Sequence, residues 1–132
     1  MSVDTIANML SIIKNAVMVK KDFVEFPYSK QKEAVLKVLE SRGFVSKVKT
    51  FSFQDRPFKG LHVDLSYTDG IPAINGLRRV SKPGSRVYKN FSDIKKSRGG
   101  YGVFVISTSR GAMSGEEAKK KKLGGKVICE VW

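Results

Sequence analysis

Residues 61–67 read Leu61-His62-Val63-Asp64-Leu65-Ser66-Tyr67, apolar and polar in strict alternation. A strand points successive side chains to opposite faces, so this period of two turns one face to a core and the other to water. Half-wet strands of that kind belong to antiparallel sheets, since parallel strands are covered on both faces. Residues 44–53 supply the partner strand, across the turn Gln54-Asp55-Arg56-Pro57, and Thr68-Asp69-Gly70 ends the second strand, read as 58–67. Upstream the period changes. Val35, Leu36, Val38 and Leu39 share a helical face between Ser29 and Arg42, with Ser29 as N-cap and Gly43 where a left-handed residue ends a helix. Lys30, Gln31 and Lys32 give that helix a basic, exposed first turn that works against its dipole. Ile6, Met9, Leu10, Ile13 and Val17 form a second helical stripe over residues 4–19, capped by Asp4 and closed by Lys20 and Lys21. Phe23, Val24 and Phe26 make a short strand stopped by Pro27. Residues 1–70 thus predict an α/β domain, two helices on a small sheet.

Beyond residue 70 the apolar runs shorten, to 71–74, 77–80, 86–88, 103–106 and 127–132, separated by Gly, Ser and Pro. Short strands with frequent turn residues predict a mostly-β domain over 71–132. One short helix is expected at 115–122, capped by Ser114, with Glu116 and Glu117 in its first turn. The fold class is therefore α+β.

The chain has 132 residues, 41% of them hydrophobic, enough for a packed core. It carries 25 Lys and Arg against 12 Asp and Glu, a net charge of +13. The excess is uneven: 11 basic and 8 acidic residues in 1–70, but 14 and 4 in 71–132. Such self-repulsion is relieved by a polyanion, either nucleic acid or an acidic membrane surface. A membrane binder would combine lysines and large apolar residues on one helix, whereas the excess here lies mainly in turns. A major-groove DNA reader would expose Arg, Asn or Gln on a helix, and these helices offer mostly Lys and Glu. No long apolar run and no leader-like opening are present, so a cytoplasmic protein without a membrane span is expected. Cys129, the sole cysteine, fits a reducing compartment and reads as a small core residue. Cys129 and the sole histidine, His62, make no metal-ligand cluster. His62 shares a strand face with Asp64, but no serine sits in a nucleophile-elbow pattern, so no enzyme, cofactor or small-molecule substrate is expected.

Three segments of the second half bear on binding. Residues 78–89, from Arg78-Arg79 through Ser81-Lys82-Pro83-Gly84-Ser85-Arg86 to Val87-Tyr88-Lys89, crowd basic side chains around a Pro-Gly turn. Alternation lets Val80, Val87 and Tyr88 face inward while the charges face out toward phosphates. Residues 105–114 run from an apolar strand into Ser107-Thr108-Ser109-Arg110-Gly111-Ala112-Met113-Ser114. Small hydroxyls that donate and accept suit the shallow RNA minor groove. A plain serine-rich turn and a helix-capping cluster fit the same residues. Arg98-Gly99-Gly100-Tyr101-Gly102 lacks either nucleotide-binding glycine fingerprint and reads as a turn.

Taken in order, Ser81-Lys82-Pro83-Gly84 with Arg86-Val87-Tyr88, then residues 106–113, then Leu123-Gly124-Gly125-Lys126-Val127-Ile128-Cys129 resemble the eighth protein of the bacterial small ribosomal subunit. Ile6-Ala7-Asn8-Met9-Leu10 and Lys14-Asn15-Ala16 resemble that family's opening helix, and Gly43-Phe44-Val45 the end of its second, so the similarity spans essentially the whole chain. The resemblance implies a structural protein that binds the central domain of 16S ribosomal RNA early in assembly, beside neighbouring small-subunit proteins. It implies RNA contacts by Ser107, Thr108 and Ser109 in the minor groove, by Gly111 and Met113 in the following turn, and by Ser81, Lys82, Gly84 and Arg86. It implies backbone contacts by Lys14, Asn15, Ser29 and Lys30. The chain departs from the family pattern at Thr5, where proline is usual, and at Ile13 and Lys14, where arginine is usual. Residues 93–98 are more basic than that pattern, which fits either extra phosphate contact or a solvated face.

Overall fold

The computed structural model describes residues 5–52, 54–55 and 57–132. Asp4, Phe53 and Arg56, read above as a cap, a strand end and a turn residue, lie outside them. The first half follows the predicted order: α1 (Thr5–Met18), β1 (Phe23–Pro27), α2 (Lys30–Ser41), β2 (Val45–Ser52) and β3 (Lys59–Leu65). The alternating strand is central. The antiparallel sheet runs β1-β3-β2, with Leu61, Val63 and Leu65 buried and His62 and Asp64 half-exposed between them. The helices contribute Ile6, Met9, Leu10, Ile13, Val35, Leu36 and Leu39 to the same core. Ser29 caps α2, its Oγ accepting from the Lys32 amide at 3.1 Å, and Gly43 takes the left-handed conformation at φ +79°.

Several expectations need correction. Ala16 joins the buried stripe of α1, and Val17, half-exposed, packs against the same core. Lys32 is not exposed: it is 8% accessible, and burial lowers the pKa of its ammonium. Ile13 is fully buried, so no surface charge is missing at that position. Tyr67 leaves the alternating strand for a separate two-stranded ladder, β4 (Tyr67–Thr68) with β5 (Ile71–Pro72), and its hydroxyl donates to the Lys21 carbonyl at 2.7 Å. The strand read at 71–74 shrinks to β5.

In the second half β6 (Leu77–Arg79), β7 (Tyr88–Lys89), β8 (Val103–Thr108), β9 (Gly111–Ser114) and β10 (Gly125–Val131) form an antiparallel sheet of order β6-β10-β8-β9, with β7 also paired to β10. Short 3-10 turns lie at Phe91–Asp93 and Ser97–Gly100. Helix α3 (Gly115–Lys120) is capped as predicted, Ser114 Oγ accepting from the Glu117 amide at 3.2 Å. Val103, Val105, Ile128, Cys129 and Val131 pack into the same core as α1, α2 and the first sheet, across the boundary at residue 70. A smaller core of Ile94, Ile106, Met113, Ala118 and Val127 lies against α3.

Candidate nucleic-acid interface

Strand β10 passes between β7 and β8, and its register sets one row of side chains. Lys126 pairs with Tyr88 on one side and with Ser107 on the other, and Ser107 pairs with Ala112. Residues directly opposite in antiparallel strands point to the same face, so Tyr88, Lys126, Ser107 and Ala112 line up across four strands. At the usual strand spacing the row is about 14 Å long. Tyr88 does not face inward as expected: it is 64% exposed. Lys126 and Ser107 are half-exposed.

Two glycines allow this crossing. A Cβ at Gly125 would run into the Ser107 carbonyl, and one at Gly124 would stand 2.6 Å from the Lys89 carbonyl. The Gly124-Gly125 pair therefore lets β10 lie close enough to join the strand after the Pro-Gly turn to the strand carrying the serines.

The serine segment is neither a loose turn nor mainly a capping cluster. It is a hairpin: β8 continues through Thr108, Ser109 and Arg110 form its loop, and Thr108 pairs with Gly111. Thr108 Oγ1 donates to the Gly111 carbonyl at 2.7 Å and accepts from the Arg110 amide at 3.1 Å, closing the tip from within. No hydrogen bond to the Ser107 or Ser109 hydroxyl is found among the described residues. Ser109, Arg110 and Gly111 are exposed, Gly111 at φ +104°. Met113 differs: its side chain is 5% exposed and belongs to the smaller core. The side chain packs behind the hairpin.

Ser81 also needs correction. It is 3% exposed, its Oγ accepting from the Val87 amide at 2.9 Å and donating to the Val87 carbonyl at 3.2 Å. It staples the base of the turn, leaving Lys82, Gly84 and Arg86 exposed. In the first half Lys14, Asn15 and Lys30 are exposed, while the Ser29 hydroxyl is engaged as the cap of α2. No hydrogen bond or ion pair found among the described residues links those four to the serine row.

The glycine-rich segment at 98–102 has a structural task. Glu130, 5% exposed, accepts from Ser97 Oγ at 2.6 Å and Arg78 Nε at 2.8 Å, and Arg98 Nε lies 3.9 Å away. Burial alone would raise this carboxyl, but the Ser97 and Arg78 hydrogen bonds with the charges of Arg78 and Arg98 outweigh it and hold the pKa below the usual value. Arg98 also lies 3.9 Å over the Trp132 ring. Elsewhere, burial pushes the Cys129 thiol up to about 12. His62 meets Glu25 Oε2 and Asp64 Oδ1 at 3.0 Å each rather than a serine. No group of His, Cys, Asp or Glu suited to a metal ion is found among the described residues, and no helix there is long and apolar enough to cross a membrane.

Sequence reasoning reached Ser107, Ser109, Gly111, Lys82, Gly84 and Arg86 at the surface. It missed Lys126 and the outward Tyr88. The signal for both was the spacing of the Gly-Gly-Lys motif, which registers Lys126 between the other two segments only once the strands are paired.

The profile of the family described as ribosomal protein S8 matches residues 4–132. The chain is 43% identical to small ribosomal subunit protein uS8c of Chlorella vulgaris, over 98% of each chain. It is 44% identical to small ribosomal subunit protein uS8 of Roseiflexus castenholzii, over 98% of this chain and 97% of the relative. With uS8 of Hydrogenovibrio crunogenus the identity is 46%, over 97% and 96%. A match over nearly the whole length establishes that this chain belongs to the ribosomal protein S8 family, whose members are structural proteins and not enzymes.

Proposed function

We propose that this structural constituent of the small ribosomal subunit is a primary RNA binder, which recognises the central domain of 16S ribosomal RNA and helps it assemble beside neighbouring subunit proteins in the cytoplasm. The observation that carries this reading is the row Tyr88–Lys126–Ser107 beside a hairpin tip whose Ser109 hydroxyl is exposed. Short hydroxyls on a rigid hairpin can enter the wide RNA minor groove and meet 2′-hydroxyls and base edges. Thr108 shapes the tip, Gly111 keeps it slim, and Met113 and Ser81 hold the hairpin and turn from inside. Tyr88 offers a stacking surface for an unpaired base, as aromatics do in RNA recognition. Lys82, Arg86 and Arg110, with Lys14, Asn15 and Lys30 on the other half, supply phosphate contacts that position the RNA without reading it. Ser29 serves by fixing the start of α2, which carries Lys30.

The test is a titration of the full chain against a central-domain fragment of small-subunit ribosomal RNA, with duplex DNA as competitor, at two salt concentrations. The RNA should be preferred by about a thousandfold or more at the higher salt. Ser107→Ala with Ser109→Ala should weaken RNA binding by about 1–3 kcal/mol for each well-buried bond lost, leaving DNA binding unchanged. Equal losses on both ligands would reduce the hairpin to an electrostatic contact.

A further inference from the structure

A groove of about 450 Å³ lies between α3 and the segment after the first 3-10 turn, lined by Ile94, Lys95, Lys96, Glu116, Lys119 and Lys120. Its walls are anchored. Ile94 is 4% exposed in the smaller core, and a Cβ on Gly115, where α3 begins, would stand only 3.0 Å from Ile94 Cγ2. Four lysines from two separate elements thus border one concavity. Its lone carboxylate, Glu116, is already held by Arg42 at 3.3 Å, and neighbouring Glu117 is held by Lys121 at 3.0 Å. Among the described residues, no ion pair is found for Lys95, Lys96, Lys119 or Lys120. An ordinary solvated face intersperses charges of both signs; uncompensated like charges on one groove attract a polyanion.

The groove is on the far side of the sheet from the serine row. Val127 and Ile106 pair one residue out of step with Lys126 and Ser107, so they face the opposite way, and Ile94 and Ala118 pack in a cluster with them. Ile94 and Lys95 also border an adjoining hollow of about 310 Å³ that reaches Lys89 and Arg78. Asp93 lines that hollow too and Arg78 is held by Glu130, so Lys89 is the cation that extends this face toward the edge formed by β7.

We propose that this lysine groove is a second nucleic-acid site, which takes the phosphodiester backbone of an RNA segment distinct from the one at the serine row. The inference rests on the reading that the chain binds ribosomal RNA. Ammonium groups are point charges without a planar fork, so they suit backbone rather than base recognition. A lipid surface fits less well: among the described residues, none of the exposed large hydrophobic side chains lines the groove.

In the test, the full chain is first saturated with a short central-domain hairpin, and a labelled RNA duplex is then titrated in. The complex should bind the duplex, with log K falling against log salt at a slope of about −3.6, roughly 0.9 for each of four lysines. Lys95→Gln, Lys96→Gln, Lys119→Gln and Lys120→Gln together should lower duplex affinity at least ~30-fold and flatten the slope, with hairpin affinity changed less than ~3-fold. The charge-matched variant Lys20→Gln, Lys21→Gln, Lys47→Gln and Lys49→Gln should leave duplex affinity within ~3-fold. Equal losses in both quadruple variants, absence of duplex binding, or a preference for vesicles rich in phosphatidylserine would overturn the site. If the wild-type hairpin affinity failed while lysine-dependent duplex binding persisted, the serine row alone would be refuted and the groove upheld.

Discussion

His62 stands between two carboxylates, Glu25 and Asp64, each 3.0 Å from one of its ring nitrogens, with the Phe23 ring stacked at 4.7 Å. Only imidazolium donates from both nitrogens, so this geometry selects the charged form. The hydrogen bond to Glu25 raises the pKa first, burial opposes it, and Asp64 adds to the rise. Lys49 lies opposite His62 on the neighbouring strand, and Lys47 opposite Asp64. A pKa raised on folding adds stability that is fully present below the unfolded value of 6.5 and is lost as pH rises through the folded value. Urea midpoints measured at about pH 5.5 and about pH 8.5 should therefore differ less in His62→Gln than in the wild type. A pH difference as large in the variant would assign the effect to other groups. His62 was readable as a wet strand residue from its place between Leu61 and Val63. Ser81 and Lys32 were not readable as buried, because serine and lysine are mostly exposed on average and only the local fold, a hydroxyl stapling Val87 and a stem covered at the start of α2, reverses that.

At the level of elements, period located α1, α2 and the first sheet, whose side chains repeat along the chain, and the Ser29 and Ser114 caps marked the starts of α2 and α3. The β8–β9 hairpin was hidden because Ser109-Arg110 is not among the dipeptides that favour tight hairpin turns, and because Thr108 supplies the closing hydrogen bonds from its side chain. The row Tyr88–Lys126–Ser107 was hidden for a different reason: register between distant strands is a tertiary property with no local mark. Its weak point is Gly125. Gly125→Ala would press a methyl group against the Ser107 carbonyl and force β10 and β8 apart. A destabilisation of about 2 kcal/mol or more is expected, with loss of specific RNA affinity at temperatures where the chain remains folded. Thermal melts with RNA titrations check both, and an unchanged melting temperature would show that the strands can separate without strain.

Across the whole molecule, the larger core joins both halves: Ile13, Leu36 and Val63 share it with Val105, Cys129 and Val131. Composition marked residue 70 as a change of character, and the tight ladder of Tyr67–Thr68 with Ile71–Pro72 lies there, yet shared packing across it could not be read from one strand's pattern. The expectation is a single cooperative unfolding transition. Ile13→Ala, in the first half, should lower stability by about 2–5 kcal/mol and shift probes in both halves together. Two separated transitions would mean that the halves unfold independently.

The Trp132 indole lies under the Arg98 guanidinium and beside Gly76, whose amide donates to the Trp132 carbonyl at 2.9 Å. Trp132 is the only tryptophan in the sequence. The molecule thus carries its own optical gauge. Emission excited at the indole band reads the Glu130 cluster and the end of β10, so acid that protonates Glu130 should register as a spectral shift.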